Sequence, residues 1–516
     1  MIRQLDPFDR ISTAHIGGFC PYWMRHEDNI LVADTAGELA DLVPADHRII
    51  DPVSVLALLQ FNYMLGDRTL VAGIHKMPPR AVLAGTGEVR RFAPIPHGMR
   101  REARSSVAAR FLELLEAELV ESARGHSRVH VLLSGGMDSR IIAGVLQRAR
   151  SRIQATIDLV TWGDPQSRDV AYAKRVAAVL GWEHILLEYT PQLAWANVSA
   201  AASWGGAECT GIHLHGLEGL RELAEKDDLV VAGTLGDSMG RAVYSGRHIK
   251  RTLMWPITNT HGLLPYAQLR ELGREARRAR ASAWGMAEAA QRWVRTELDM
   301  QENYLGRMLC HAMDYARQFC SLHQAFSSDA LVEFVWSLLP EVRRDGVYSE
   351  VLRMLDPRLA EIPWARTGLA PDGWGTVDST LRIPYHDWRN WPRKEFADDL
   401  QRLYFSSGLD SLGVFHRPAL ERLWKRFMRE DCPSVRLNED VLKICSIEIA
   451  RNDLALQRPF SAPSRRARAT ERGIRAALGA ATPASIGWRA AKHVARGLSG
   501  MSRRDVRSTH STRTSR

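Results

Sequence analysis

The spacing of apolar positions changes character about a hundred residues into the chain. Before that point short apolar runs such as Ile49-Ile50 and Val82-Leu83 are broken by Gly-Asp, Pro-Pro and Gly-Thr-Gly punctuation, which predicts a small strand-rich unit over residues 1–95. From 101 to 123 the period turns helical, with Ala108, Phe111, Leu112, Leu115 and Leu119 on one face. Strand-like and helix-like stretches then alternate. Strands are predicted at 129–133, 156–161, 184–188 and 229–232, and helices at 139–149, 167–180 and 216–224, with Gly181 as a stop. That order implies a parallel sheet covered by helices on both faces, whose ligands sit beyond the carboxyl ends of the strands. Residues 260–460 read as largely helical, with breaks near Pro363, Pro384 and Pro392. No internal repeat is present.

Composition narrows the function classes. The 516 residues are 45% hydrophobic and 25% charged, enough apolar material for several packed units, so wholesale disorder is excluded. The net charge is +10, yet residues 464–516 hold thirteen Arg and Lys against Glu471 and Asp505. The basic character therefore belongs to a tail, and a DNA-binding or RNA-binding footprint over the body is not expected. Within 486–501, Ala490, Val494, Leu498 and Met501 share one helical face and Arg489, Lys492 and Arg496 the other. This offers a basic amphipathic helix to an acidic partner or a membrane surface, the alternative being a disordered Arg/Ser tail. Six cysteines without Cys-x-x-Cys or zinc spacing, no secretory leader and no run of apolar residues long enough to span a bilayer predict a soluble, cytoplasmic protein.

The segment richest in chemistry is Val131-Leu132-Leu133-Ser134-Gly135-Gly136-Met137-Asp138-Ser139-Arg140, a buried strand running into a loop of small residues that opens a helix. Glycines let backbone approach an anion, serines donate hydroxyls, and a helix amino terminus adds free N–H groups. That set suits polyphosphate. Asp138 facing phosphates would repel them, so its place calls for a bridging Mg²⁺; the plain alternative is a tight turn with a capping Asp.

Ser134-Gly135-Gly136-Met137-Asp138-Ser139 resembles the pyrophosphate loop of ATP pyrophosphatases, and more narrowly that of the asparagine synthetase family, with the β-lactam synthetases and lasso-peptide cyclases among its relatives. Residues 51–92, 157–189 and 331–341 resemble successive further parts of that family. The resemblance implies an α/β fold: an ATP-pyrophosphatase domain of the adenine nucleotide α-hydrolase type over residues 100–460, with a helical carboxy-terminal part, after a small, degenerate, glutaminase-like unit at 1–95. Ser134, Gly135, Gly136, Met137, Asp138 and Ser139 would bind ATP. A second loop after a buried strand, Gly233-Thr234-Leu235-Gly236-Asp237-Ser238, is similar to the family's second carboxylate loop, making Asp237 the other Mg²⁺ ligand. Leu132, Trp162 and Gly233 match positions that wall the adenine, although Trp162 fits a core position equally well.

The implied reaction splits ATP to AMP and pyrophosphate while a small-molecule or peptide carboxylate is adenylated, and ammonia or an amine then forms an amide. Departures from the family pattern are also legible. Ile2 stands where glutamine-hydrolysing members expose a cysteine, so glutaminase activity is not expected. Thr234 and Ser238 replace glutamates, and Ser349 falls where a lysine is usual. Ser321-Leu322-His323-Gln324-Ala325-Phe326 replaces a Glu/Arg-containing stretch, and His323 reads as a core or surface residue before a base. Arg140 is expected to bring the missing positive charge to the β- or γ-phosphate, or else to pair at the surface with Asp164 or Asp169. The readings are thus an AMP-forming amide ligase, a macrolactam cyclase acting on a precursor peptide, or, in another class, an RNA-modifying ATP pyrophosphatase or an inactive binding protein. Sulfur-transferring RNA enzymes need reactive cysteines near the loop, and none of the six is there.

Overall fold

A computed structural model describes residues 2–14, 16–245, 258–282, 291–429 and 434–459. The basic tail at 464–516 and its candidate amphipathic helix lie outside the described residues.

Seven strands form the amino-terminal unit: β1 (Arg3–Leu5), β2 (Arg10–Ser12), β3 (Tyr22–His26), β4 (Asn29–Ala33), β5 (Ile74–Lys76), β6 (Ala81–Ala84) and β7 (Val89–Arg91). They make two antiparallel sheets, ordered β1-β4-β3-β5 and β2-β6-β7. Its helix Pro52–Phe61, started by Asp51 capping the Val53 N–H and by proline at the first turn, is buried along nearly its whole length. An all-round apolar helix needs cover on every side. Its residues accordingly join the core that also holds Val441, Leu442, Ile444 and Ile447 of helix Val435–Asp453.

The second sheet positions the site. Its strands β8 (Arg128–Leu132), β9 (Thr156–Trp162), β10 (His184–Leu187), β11 (Leu229–Ala232) and β12 (Ser321–Gln324) are all parallel, in the order β10-β9-β8-β11-β12. The unbroken apolar run of β11 follows from burial on both faces, whereas β8 and β9 also bury the polar residues His130, Asp158 and Thr161. Val129 and Val131, Ile157 and Leu159, and Leu229 and Val231 enter one core, whereas Leu132, Val160, Val230 and Ala232 enter the other.

Helix Arg104–Ser122 buries the face read from its spacing. Helix Arg168–Leu180 is capped by Ser167 and ends at Gly181, whose φ of 70° is the left-handed conformation glycine adopts without a side-chain clash. The expected helix at 216–224 is only Leu217–Leu220, after a 3₁₀ turn at Gly211–Leu214. Strand β12 falls in a region read as helical. No helix of the described residues is long and apolar enough to cross a membrane.

Candidate active site

Strands β8 and β11 are neighbours in register, Val129 beside Leu229 and Val131 beside Val231, so their following loops emerge side by side. The loops interlock. A Cβ at Gly233 would lie 3.5 Å from the Ser139 nitrogen and 3.6 Å from the Asp138 Cβ, and one at Gly236 would collide with the Asp138 carboxylate. Glycine is required at Gly236 by this close approach of a side chain rather than by an unusual φ.

The first loop is held from within and from outside. Ser139 Oγ accepts the Ser134 N–H at 3.0 Å and lies 3.1 Å from Ser134 Oγ, which accepts the Gly136 N–H at 3.1 Å. The Gly135 N–H donates to Asp169 Oδ1 at 3.2 Å, and burial lifts the Asp169 carboxyl above its ordinary range against that bond. Helix Met137–Arg148 starts at Gly136 with no side-chain cap, leaving its amino terminus facing the loop.

Asp138 and Asp237 converge. Both meet the guanidinium of Arg241: Nη2 contacts Asp237 Oδ1 and lies 3.6 Å from Asp138 Oδ2, while Nη1 lies 3.0 Å from Asp345 Oδ1. Burial pushes the Asp138 carboxyl above the usual carboxylate range despite the opposing Arg241 charge and the Tyr348 hydroxyl. Its Oδ1 is buried with no hydrogen-bond partner among the described residues. A buried, unsatisfied carboxylate oxygen is a costly arrangement that a cation would relieve. Asp138, Asp237 and Asp345 around one guanidinium leave a negative surplus. Two oxygen-donor carboxylates are the kind of ligand that Mg²⁺ takes together with phosphate and water oxygens; a group of three or more His, Cys, Asp or Glu able to hold a metal is not found among the described residues.

Arg140 corrects the sequence reading. Its side chain is fully buried, and its guanidinium donates to the carbonyls of Leu359 at 3.0 Å, Ile362 at 2.6 Å, Pro363 at 2.8 Å and Gly135 at 3.3 Å. All of these are main-chain oxygens, so the charge is spent bracing the loop against the segment after helix Pro357–Glu361. Burial lowers its pKa to about 10, which still leaves it charged at neutral pH. The surface alternative fails too, since Asp164 accepts from Arg382 at 2.7 Å and Asp169 from Gly135.

The other expected residues fall as follows. Leu132, Trp162 and Gly233 lie at the carboxyl edge of three adjacent strands. The Trp162 ring is half-buried and stacks on His215 at 5.8 Å and 9°, which accounts for one of its faces as packing. Met137 is buried in the core beneath the loop. Ser238 is buried and accepts from Gln301, and Ser349 is buried with its hydroxyl unpartnered among the described residues. His323 is a clip: it bonds Glu118 at 3.0 Å, and that carboxylate also takes the Ser327 and Ser328 N–H groups at the start of helix Asp329–Ser337.

Four contributors escaped the sequence reading: Asp169, Arg241, Tyr348 and a strap over residues 363–391. Arg241 had a signal, its i+4 spacing from Asp237. The strap crosses the strand ends, with the Ala365 N–H on the Gly135 carbonyl at 3.0 Å, the Asp164 N–H on Tyr385 at 2.8 Å and the Arg168 N–H on Arg382 at 2.9 Å. A pocket opens nearby between the amino-terminal unit and the helix at Met300–Cys310; Cys20, Lys76, Glu302 and Arg307 line it, and it reaches Leu235 of the second loop.

The asparagine synthase family profile matches residues 110–355. No curated protein matches the chain. Among solved structures, NMN synthetase from Francisella tularensis is similar over 46% of this chain and 94% of its own, at 13% identity and a TM-score of 0.20. The matched residues include both strand-end loops with Asp138 and Asp237, so residues 110–355 are similar to the asparagine synthase family.

Proposed function

We propose that the chain is a carbon–nitrogen ligase that splits ATP to AMP and pyrophosphate, activates a small-molecule or peptide carboxylate as its adenylate and passes it to ammonia or an amine. The observation that carries this reading is the convergence of Asp138 and Asp237 from neighbouring parallel strands, beside a loop of small residues that opens a helix.

Asp138 and Asp237 would hold Mg²⁺, which when bound supplies charge neutralisation at the departing pyrophosphate. Ser134 and Ser139 orient the loop amides, and Gly135 lets the loop pack closely on Ala365 and Asp169, where a Cβ would collide. Asp169 satisfies the Gly135 N–H until a phosphate oxygen replaces it. The pocket lined in part by Leu235 would offer the amine a way to the second loop. A glutaminase of its own is not supported by Cys20, whose thiol burial pushes up to about 12, leaving it protonated and unreactive near neutral pH.

The test is pyrophosphate exchange into ATP, screened over carboxylic acids, with wild type and Asp138→Asn side by side. Some acid should support exchange in the wild type, and the variant, which keeps shape but loses a charged ligand, should be slower by ~10²-fold or more. Equal exchange in both proteins would sink the reading.

A further inference from the structure

Arg241 is a cation that no motif marks. Its side chain is only 3% exposed, yet it meets Asp237, Asp138 and Asp345. Two aromatic rings lie close to the guanidinium, Trp364 at 5.1 Å and Tyr348 at 5.7 Å from ring centroid to Cζ, and both its Nη groups meet carboxylates, while its buried Nε has no hydrogen-bond partner among the described residues. Burial alone would lower its pKa, but Asp138, Tyr348 and Asp345 together raise it, and it stays charged throughout the working pH range. Trp364 adjoins Ala365, which bonds the Gly135 carbonyl, so the same strap seats both the guanidinium and the first loop. Ser349, buried and neutral, brings no charge here.

We propose that Arg241 is a positioning residue that ties Asp138 to Asp237 and makes divalent-metal binding at that pair conditional on nucleotide. The proposal rests on the nucleotide reading given above. Although the carboxylates outnumber the guanidinium, a divalent ion arriving alone must compete with it for Asp138 and Asp237, and the two cations repel at such separations in a poorly solvated site. A polyphosphate reverses the balance: its negative charge offsets the guanidinium and adds oxygen ligands, so metal and nucleotide enter together. The guanidinium then remains as the fixed positive charge beside the pyrophosphate, the part for which sequence reasoning had cast Arg140.

The test uses the full chain with Mn²⁺ as the probe, its binding read from the loss of the free-ion EPR signal and from the melting temperature. Each is recorded with and without α,β-methylene-ATP, which cannot be cleaved at the bond in question. In the wild type, Mn²⁺ alone should leave the melting temperature unmoved, and Mn²⁺ with the analogue should raise it. Arg241→Met should bind Mn²⁺ without nucleotide about tenfold more tightly than wild type, or better, as expected on removing a neighbouring like charge. Arg241→Lys, which keeps the charge, should behave as wild type. Equal stabilisation of the wild type by Mn²⁺ with and without the analogue would overturn the role of Arg241 while leaving the nucleotide reading standing. No stabilisation by Mn²⁺ and analogue together would overturn the nucleotide reading itself. If Arg241→Met does not melt cooperatively, the wild-type and Arg241→Lys arms decide alone.

Discussion

At the residue scale, Arg140 shows how burial assigns a role that residue type leaves open. Arg140→Ala removes the donors to four carbonyls at the Gly135 loop and residues 359–363, and should destabilise the fold by about 2–4 kcal/mol, measured by chemical unfolding. An arginine acting only on phosphate would instead leave stability unchanged and weaken ATP binding. The loop Ser134–Ser139 was legible because its chemistry is carried by contiguous residues of restricted type. Arg140 was not, because three of its partners lie more than two hundred positions downstream and are backbone atoms, which carry no mark of residue type. Arg241 stands between these cases: its spacing from Asp237 was visible, but its contacts with Tyr348 and Trp364 come from the packing of distant segments.

At the element scale, the site depends on two strand-end loops touching without side chains between them. Gly236→Ala places a methyl group against the Asp138 carboxylate and should displace it. The expected result is at least a tenfold loss of pyrophosphate exchange with about 1–3 kcal/mol of destabilisation, the usual cost of overpacking, both read on the same preparation. Exchange at the wild-type rate would mean that the two loops are not interdependent. Strands β8, β9, β10 and β11 were legible to within a residue or two, because a buried parallel strand is a short β-branched and apolar run between turn signals. Strand β12 was hidden: only four residues long, it contains His323, which bonds Glu118, and Gln324, whose side-chain N–H donates to the Cys310 carbonyl. The strap over 363–391 has no period at all, and its course is set by main-chain bonds to the strand ends.

For the whole molecule, the amino-terminal unit and the carboxy-terminal helices share a core, and buried ion pairs tie the parts together. Lys76 of β5 lies 3.7 Å from Glu208 and 2.9 Å from His311 Nδ1, and Arg307 lies 2.9 Å from the same Glu208. None of this could be read from period or composition, because both parts are simply apolar and the pairing of distant charges leaves no local trace. Another such tie sets a pH dependence. Glu297 is fully buried; burial by itself would raise its pKa, but Arg343 at 2.7 Å and His97 at 3.5 Å bring it down to about 2. A carboxylate depressed in the folded state adds stability above its unfolded pKa and loses it as the pH falls towards the folded value. Glu297 should therefore contribute about 3 kcal/mol at neutral pH, fading between pH ~4.5 and ~2, so the stability gap between wild type and Glu297→Gln should narrow across that window in unfolding titrations. A gap constant with pH would show that the pair is not linked to folding. The central claim, cleavage of ATP between its α- and β-phosphates to drive amide formation, is tested most directly by separating the nucleotide products after incubating the full chain with Mg²⁺, ATP, ammonia and an acid that supports exchange. The account predicts AMP and pyrophosphate in equal amounts, matched by the amide formed; ADP and inorganic phosphate as the products would contradict it.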